Sequence, residues 1–250
     1  MNILLDLSFD GTRYCGFQVQ KNGLSVCQAL QDGLEQLLGT RPDVKGCSRT
    51  DAGVHAGHYA LNFWADTRIP MEKFPLALNQ KLPADIRVNW AKIVPDDFHA
   101  RYAAHAKTYH YHIWNSQVDS PFNASYHHKL PGLLDVDAMN QAAQLLVGTF
   151  DFTSFCSAGC EVAMRGNTVR TITQCSVTAD GPHVVISVTA DGYLYNMVRI
   201  LAGTLVQVGQ HRIQPQDVIG ILEQKNRGCA GPTLPAQGLF LARVDYPQDL

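Results

Sequence analysis

Asn2-Ile3-Leu4-Leu5-Asp6-Leu7-Ser8-Phe9-Asp10-Gly11 opens the chain, and Thr189-Ala190-Asp191-Gly192 faintly echoes its end in the second half. Ile3, Leu5, Leu7 and Phe9 recur at every second position, with Asp6 and Ser8 between them, which is the period of a strand with one apolar face. No basic region precedes the apolar residues, so the segment reads as a strand and not as a leader. A turn-rich loop, Gly11 to Gln18, follows. Residues 25–38 then read as a helix: Ser25 and Gln28 have capping-box spacing, Val26, Leu30, Leu34, Leu37 and Leu38 form a stripe, and Gly39 can stop it. Strands are expected at 58–65, 86–94 and 100–114, with a short helix at 71–80. The Pro- and Gly-bearing stretch 115–135 reads as a crossover. Beyond it come a helix at 137–147, a Gly/Cys-rich loop at 153–168, a hairpin of 168–178 with 183–189, an apolar helix at 194–207, a shorter helix at 217–224, and a last strand at 239–244. Strands and helices mix without a strict βαβα rhythm, so the expected class is α+β. The expected organisation is two halves, residues 1–115 and 116–250.

The chain has 250 residues, 46% hydrophobic and 17% charged, with 20 Lys+Arg against 22 Asp+Glu and a net charge of −2. That balance excludes a polybasic coat, an acidic tail and a disordered chain, but not a local basic cleft. No apolar run approaches the roughly 20 residues that span a bilayer. Seven scattered cysteines read as free thiols in a reducing cytoplasm.

The most unusual segment is Gly46-Cys47-Ser48-Arg49-Thr50-Asp51-Ala52-Gly53-Val54-His55-Ala56. It sets an Arg and an Asp between glycines that let backbone approach a ligand. On those residues alone an exposed Arg49–Asp51 pair in an ordinary turn is the stronger reading, since most surface ion pairs do little. The wider pattern reverses that order. Arg49-Thr50-Asp51-Ala52-Gly53-Val54-His55-Ala56 resembles the signature of the TruA family of tRNA pseudouridine synthases. Further blocks resemble it in order: Phe9-Asp10-Gly11-Thr12 with Tyr14, Gly16-Phe17-Gln18 and Gln20; Arg101-Tyr102 with Lys107-Thr108-Tyr109-His110-Tyr111; Asn167-Thr168-Val169-Arg170-Thr171-Ile172; Gly192-Tyr193-Leu194-Tyr195-Asn196-Met197-Val198-Arg199; and Ala236-Gln237-Gly238-Leu239-Phe240-Leu241. The likeness spans nearly the whole chain, and several ordered blocks are far more specific than one motif.

The resemblance implies a pseudouridine synthase fold: two ferredoxin-like α+β halves forming an extended antiparallel sheet, helices on one side and an RNA-binding cleft between the halves. It implies isomerisation of uridine to pseudouridine in the anticodon arm of tRNA, positions 38 to 40, by a cytoplasmic homodimer without a membrane anchor. The reaction moves a glycosidic bond from nitrogen to carbon with no redox change and no loss of atoms, so neither cofactor nor metal is expected. It does require a carboxylate able to attack or stabilise the nucleoside, and the resemblance gives that role to Asp51. Arg199, set among Met, Val, Ile and Leu, is costly to bury unpaired; the resemblance offers Asp51 as its partner, and snorkelling to the surface is the alternative. Tyr109 is implied to stack on the flipped uracil, against the alternative of a core tyrosine, which is preferred for Tyr111. Arg49 is implied to fill the space the nucleotide leaves, and Leu239 to pack near the uracil. Arg101, Lys107, Arg165 and Arg170 are expected RNA contacts, gathered with Arg49 along one cleft. His110-x-His112 lacks the further donors of a metal site. Two other classes share part of this pattern: a non-catalytic RNA-binding protein on the same fold, and a nucleoside hydrolase or transglycosylase.

Overall fold

The structure, a computed structural model, describes residues 1–21, 23–157 and 166–247. The chain divides into two units. The first holds Met1–His105 and Phe240–Leu250, and the second Ala106–Leu239. Each unit is α+β, as the sequence reading expects. The division differs from a simple halving at 115/116 in two ways. The strand that begins at Ala106 pairs with a strand of the second unit, and the end of the chain returns to the first.

The first unit contains β1 (Asn2–Phe9), α1 (Val26–Leu38), β2 (Lys45–Gly46), β3 (His55–Trp64), α2 (Phe74–Asn79), β4 (Ile86–Val94) and nearly all of β10 (Leu239–Asp245). Its strand order is β4–β1–β3–β10, with β2 also on β3. β1 runs antiparallel to both neighbours, while β10 lies parallel to β3, with Phe240 opposite His55. The Ser25 hydroxyl accepts the Gln28 amide at 3.1 Å and starts α1; Gly39, at φ 75°, ends it. Both are local signals, and both were readable.

One expectation about β1 is corrected. Ile3, Leu5 and Leu7 are fully buried, yet Asn2, Leu4 and Asp6 on the other face are buried as well. A non-sheet segment covers that face. Asn2 Nδ2 donates to the carbonyls of Pro95 (2.9 Å) and Phe98 (3.0 Å), Asn62 Oδ1 accepts the Ala100 amide (2.8 Å), and Tyr246 Oη donates to Ala100 O (2.7 Å). The polar side chains of the sheet thus satisfy backbone groups that have no ladder of their own. The same covering segment shortens the strand expected at 100–114. Residues 99–103 turn, with the Tyr102 and Ala103 amides on His99 O, and β5 starts only at Ala106.

The second unit contains β5 (Ala106–Trp114), β6 (His128–Lys129), α3 (Val136–Leu145), β7 (Gly148–Asp151), β8 (Val169–Asp180), β9 (His183–Ala190), α4 (Met197–Gly209) and α5 (Asp217–Gln224). Its strand order is β5–β9–β8–β7, antiparallel throughout, with β6 added to β5 in parallel. Register carries the buried face across three strands: Tyr109, Val188 and Cys175 form one row, Tyr111, Ile186 and Val177 the next. The apolar α4 is buried along most of its length. The six described cysteines are free thiols. No helix among the described residues is long and apolar enough to cross a membrane.

Candidate functional site

Asp51 lies in a loop held from below by aromatics and from the side by a second loop. Below it, the Tyr59 ring stacks on Phe17 (4.2 Å, 22°) and its hydroxyl bonds the Ser48 carbonyl. Gly46 is a glycine because a Cβ there would overlap this aromatic pair. From the side, the Phe17 amide donates to Thr50 O and the Gly53 amide to Tyr14 O, both at 3.3 Å. Asp51 O accepts the Val54 amide at 3.2 Å, and Gly53 takes φ 78°, the positive value that a type II turn demands of its third residue. Asp51 is therefore the first residue of a tight turn whose backbone is tied on both sides.

This contact explains the first block of the sequence pattern. Gly11 and Gly16 are where the 10–18 loop touches the Asp51 loop. A Cβ on Gly11 would overlap the Val54 carbonyl, and one on Gly16, at φ 103°, would overlap that of Thr50. Asp85, which sequence reasoning missed, anchors the loop from outside. Its carboxylate accepts Arg13 Nε and Tyr14 Oη, each at 2.7 Å, and its carbonyl accepts the Asp10 amide at 2.9 Å. Burial, and then the Asp85 hydrogen bond and charge, push the Tyr14 phenol well above its usual range, so it stays a neutral donor. His55 Nδ1 accepts the Gly11 amide at 3.0 Å and lies 3.1 Å from Asp10 Oδ1. One ring nitrogen cannot both accept from Gly11 and donate to Asp10, so the proton state of His55 selects the partner. Its ring stacks on Phe240 (4.6 Å, 22°), which ties β10 to the start of β3.

The second unit carries Tyr109 and Arg199. Tyr109 is 6% exposed and meets Tyr193 edge-on at 4.9 Å, a favoured aromatic geometry. Tyr193 Oη lies 2.7 Å from Lys107 O and 2.8 Å from Val188 O, within reach of two strands. Burial first, and then Tyr109, hold its phenol well above its ordinary value. Tyr193 is thus a fixed, neutral prop against Tyr109, a role no sequence signal gave. Tyr111 is fully buried, with its hydroxyl on Pro235 O at 2.8 Å, as expected of a core tyrosine.

Arg199 occupies the third position of α4, inside its first turn. A cation there opposes the helix dipole, worth about 0.3–1 kcal/mol, so helix stability does not account for it. Arg199 Nε donates to Leu234 O (2.6 Å) and Nη1 to Asn196 Oδ1 (2.8 Å). Asn196, at φ 60°, is held in turn through Nδ2 on Ser157 Oγ at 2.9 Å. The guanidinium is clamped in direction by neighbours on both sides.

The remaining expected residues fall as follows. The first unit bears Arg49 and Arg101, both exposed, with Arg101 beside the Tyr102 ring at 5.8 Å. The second bears Arg170, half-buried, whose Nη1 donates to Val169 O at 2.6 Å and whose chain lies against Gly192. Leu239 is buried at the start of β10. Lys107, the expected RNA contact on β5, is only 8% exposed. Arg165 lies outside the described residues. His112 Nδ1 lies 2.9 Å from His183 Nε2, so its near partner is a histidine across the sheet.

Comparison with known proteins gives concordant matches. A family model described as tRNA pseudouridine synthase matches residues 7–103 and 142–247. The tRNA pseudouridine synthase A of Clostridium acetobutylicum is 44% identical over 245 residues, covering 98% of this chain and 99% of the relative. That of Moorella thermoacetica is 45% identical over 244 residues, covering 97% and 98%. The Geobacillus kaustophilus protein of the same name is 40% identical over 244 residues, covering 97% and 93%.

Proposed function

Because the chain belongs to the tRNA pseudouridine synthase family, we propose that it isomerises uridines in the anticodon arm of tRNA, positions 38 to 40, with Asp51 as the reacting carboxylate. The observation that carries the assignment is the seat of Asp51. Its turn is bonded through Thr50 O, Asp51 O and the Gly53 amide, and two glycines make room for the contact. What a reacting carboxylate needs is to be held close to and aimed at the nucleoside, and this tied turn supports that.

In the proposed reaction the bond between uracil N1 and ribose C1′ breaks while the Asp51 carboxylate holds the nucleoside. The uracil turns, C5 bonds to C1′, the proton on C5 leaves for solvent, and N1 takes up a proton in its place. The carboxylate is released unchanged, so atoms and electrons balance. Arg199 keeps that carboxylate charged and aimed, and Tyr109, backed by Tyr193, offers the face on which the base turns. Arg49, Arg101 and Arg170 supply cations toward the RNA backbone. Leu239 lines the uracil pocket in this reading. We place the enzyme in the cytoplasm as a homodimer, a second subunit adding grip on a ligand much larger than one cleft.

Unmodified tRNA incubated with the protein should yield pseudouridine at 38 to 40, and Asp51→Asn should bind tRNA yet yield none. Turnover by Asp51→Asn would refute the assignment of the carboxylate. Binding without product by the unaltered protein would favour the RNA-binding alternative, and free uracil a hydrolase.

A further inference from the structure

Thr50 stands between Arg49 and Asp51 and is 7% exposed. Its Oγ1 is sealed from solvent and has no hydrogen-bond partner among the described residues. Buried polar groups are paired in more than about nine cases in ten, and an unpaired one destabilises the fold that buries it. Valine has nearly the same shape and would avoid that cost. Packing therefore gives no reason for an oxygen here.

The backbone around the hydroxyl is fixed. Thr50 O accepts the Phe17 amide at 3.3 Å, and Asp51 O accepts that of Val54 at 3.2 Å. What is left to the side chain is rotation about χ1 among three staggered wells.

We propose that Thr50 is a positioning residue whose hydroxyl is paired only when RNA engages the Asp51 turn, so that its unpaired state in the free enzyme favours the engaged arrangement. This rests on the reading of Asp51 as the reacting carboxylate. Affinity withheld from the free state and recovered on engagement is a difference between two states, which is what a ligand needs in order to shift one toward the other.

The test uses Thr50→Val, Thr50→Ser and Asp51→Asn, each purified whole. Thr50→Val should raise the melting temperature of the free enzyme by about 2–12 °C, the equivalent of removing one unpaired hydroxyl. It should also shrink the rise in melting temperature that saturating tRNA produces, and lower single-turnover rate about tenfold. Thr50→Ser, which keeps the hydroxyl, should restore the rate. A melting temperature that is unchanged or lower in Thr50→Val overturns the proposal, because the hydroxyl is then paired in the free enzyme. So does a rise accompanied by an unaltered rate, or a Thr50→Ser as slow as Thr50→Val. Activity in Asp51→Asn removes the underlying reading and this proposal with it. An inactive Asp51→Asn beside a Thr50→Val of normal rate removes this proposal alone.

Discussion

Gly16→Ala is the sharpest single probe of how Asp51 is held. The glycine has φ 103°, where an L side chain costs about 1–2 kcal/mol. A Cβ there would also overlap Thr50 O and lie 3.3 Å from the Asp51 carbonyl carbon, so the Asp51 loop has to withdraw. Withdrawal breaks the Phe17–Thr50 backbone bond, at about 0.5–1.5 kcal/mol. Together these come to about 1.5–3.5 kcal/mol, which lowers the melting temperature by about 3–14 °C in a chain of this size. Displacing a reacting group by about 1 Å costs about a hundredfold in rate. The control is Gly39→Ala. Gly39 also has positive φ, 75°, but a Cβ there meets nothing within 4 Å. It bears the strain without the clash, and should lose stability but keep its rate. Thermal unfolding and single-turnover pseudouridine formation, measured on both variants, separate the two effects. A Gly16→Ala enzyme within twofold of the normal rate would refute the claim that the 10–18 loop positions Asp51.

Arg199→Lys should lower stability by about 0.5–1.5 kcal/mol, the loss of one hydrogen bond, while single-turnover rate falls at least tenfold because a point charge cannot hold Leu234 O and Asn196 Oδ1 together as the planar guanidinium does; a rate within twofold of normal would contradict it. Asp151 gives a pH prediction: burial alone would raise its pKa, but hydrogen bonds from Thr168, Thr153 and Lys225 outweigh burial and hold it below the ordinary value. A carboxyl lowered on folding contributes stability above its unfolded pKa, about 3.9, and loses it as pH falls further. Asp151→Asn should therefore be the less stable protein near pH 7, with the two unfolding curves converging below about pH 4; a gap constant with pH would show that the charge is not the cause.

Elements with local signals were readable to within a residue. Ser25 and Gly39 bound α1, and 86–94 and 217–224 match β4 and α5. The misses need partners distant in sequence. Asn2 and Asn62 draw residues 95–100 across the back of the first sheet, and only then do Arg101 and Tyr102 fall in a turn instead of a strand. Gly11 and Gly16 were visible as part of a pattern, but their reason, the Thr50 and Val54 carbonyls, lies some 35 residues or more away. Lys107 shares a strand face with Tyr109 and Tyr111 by alternation, and β5 buries it with them. Tyr193 falls within the Gly192–Arg199 stretch of the family pattern, yet nothing in a sequence states that it braces Tyr109.

The return of the chain end to the first unit bears on how the protein is made. Phe240 and Leu241 pair with His55 and Ala56 on β3. Between the first unit's two segments the ribosome must complete Ala106–Leu239. At roughly 5–20 residues per second, that stretch takes roughly 7–27 s. Throughout that interval the His55 end of β3 waits without its parallel neighbour, and an unpaired strand edge invites pairing with another nascent chain. The second unit has no such wait, because its strands are complete before synthesis ends. The gene's order thus makes the earlier-translated unit the later one to finish, and the vulnerable period falls on the strand that follows directly from the Asp51 turn.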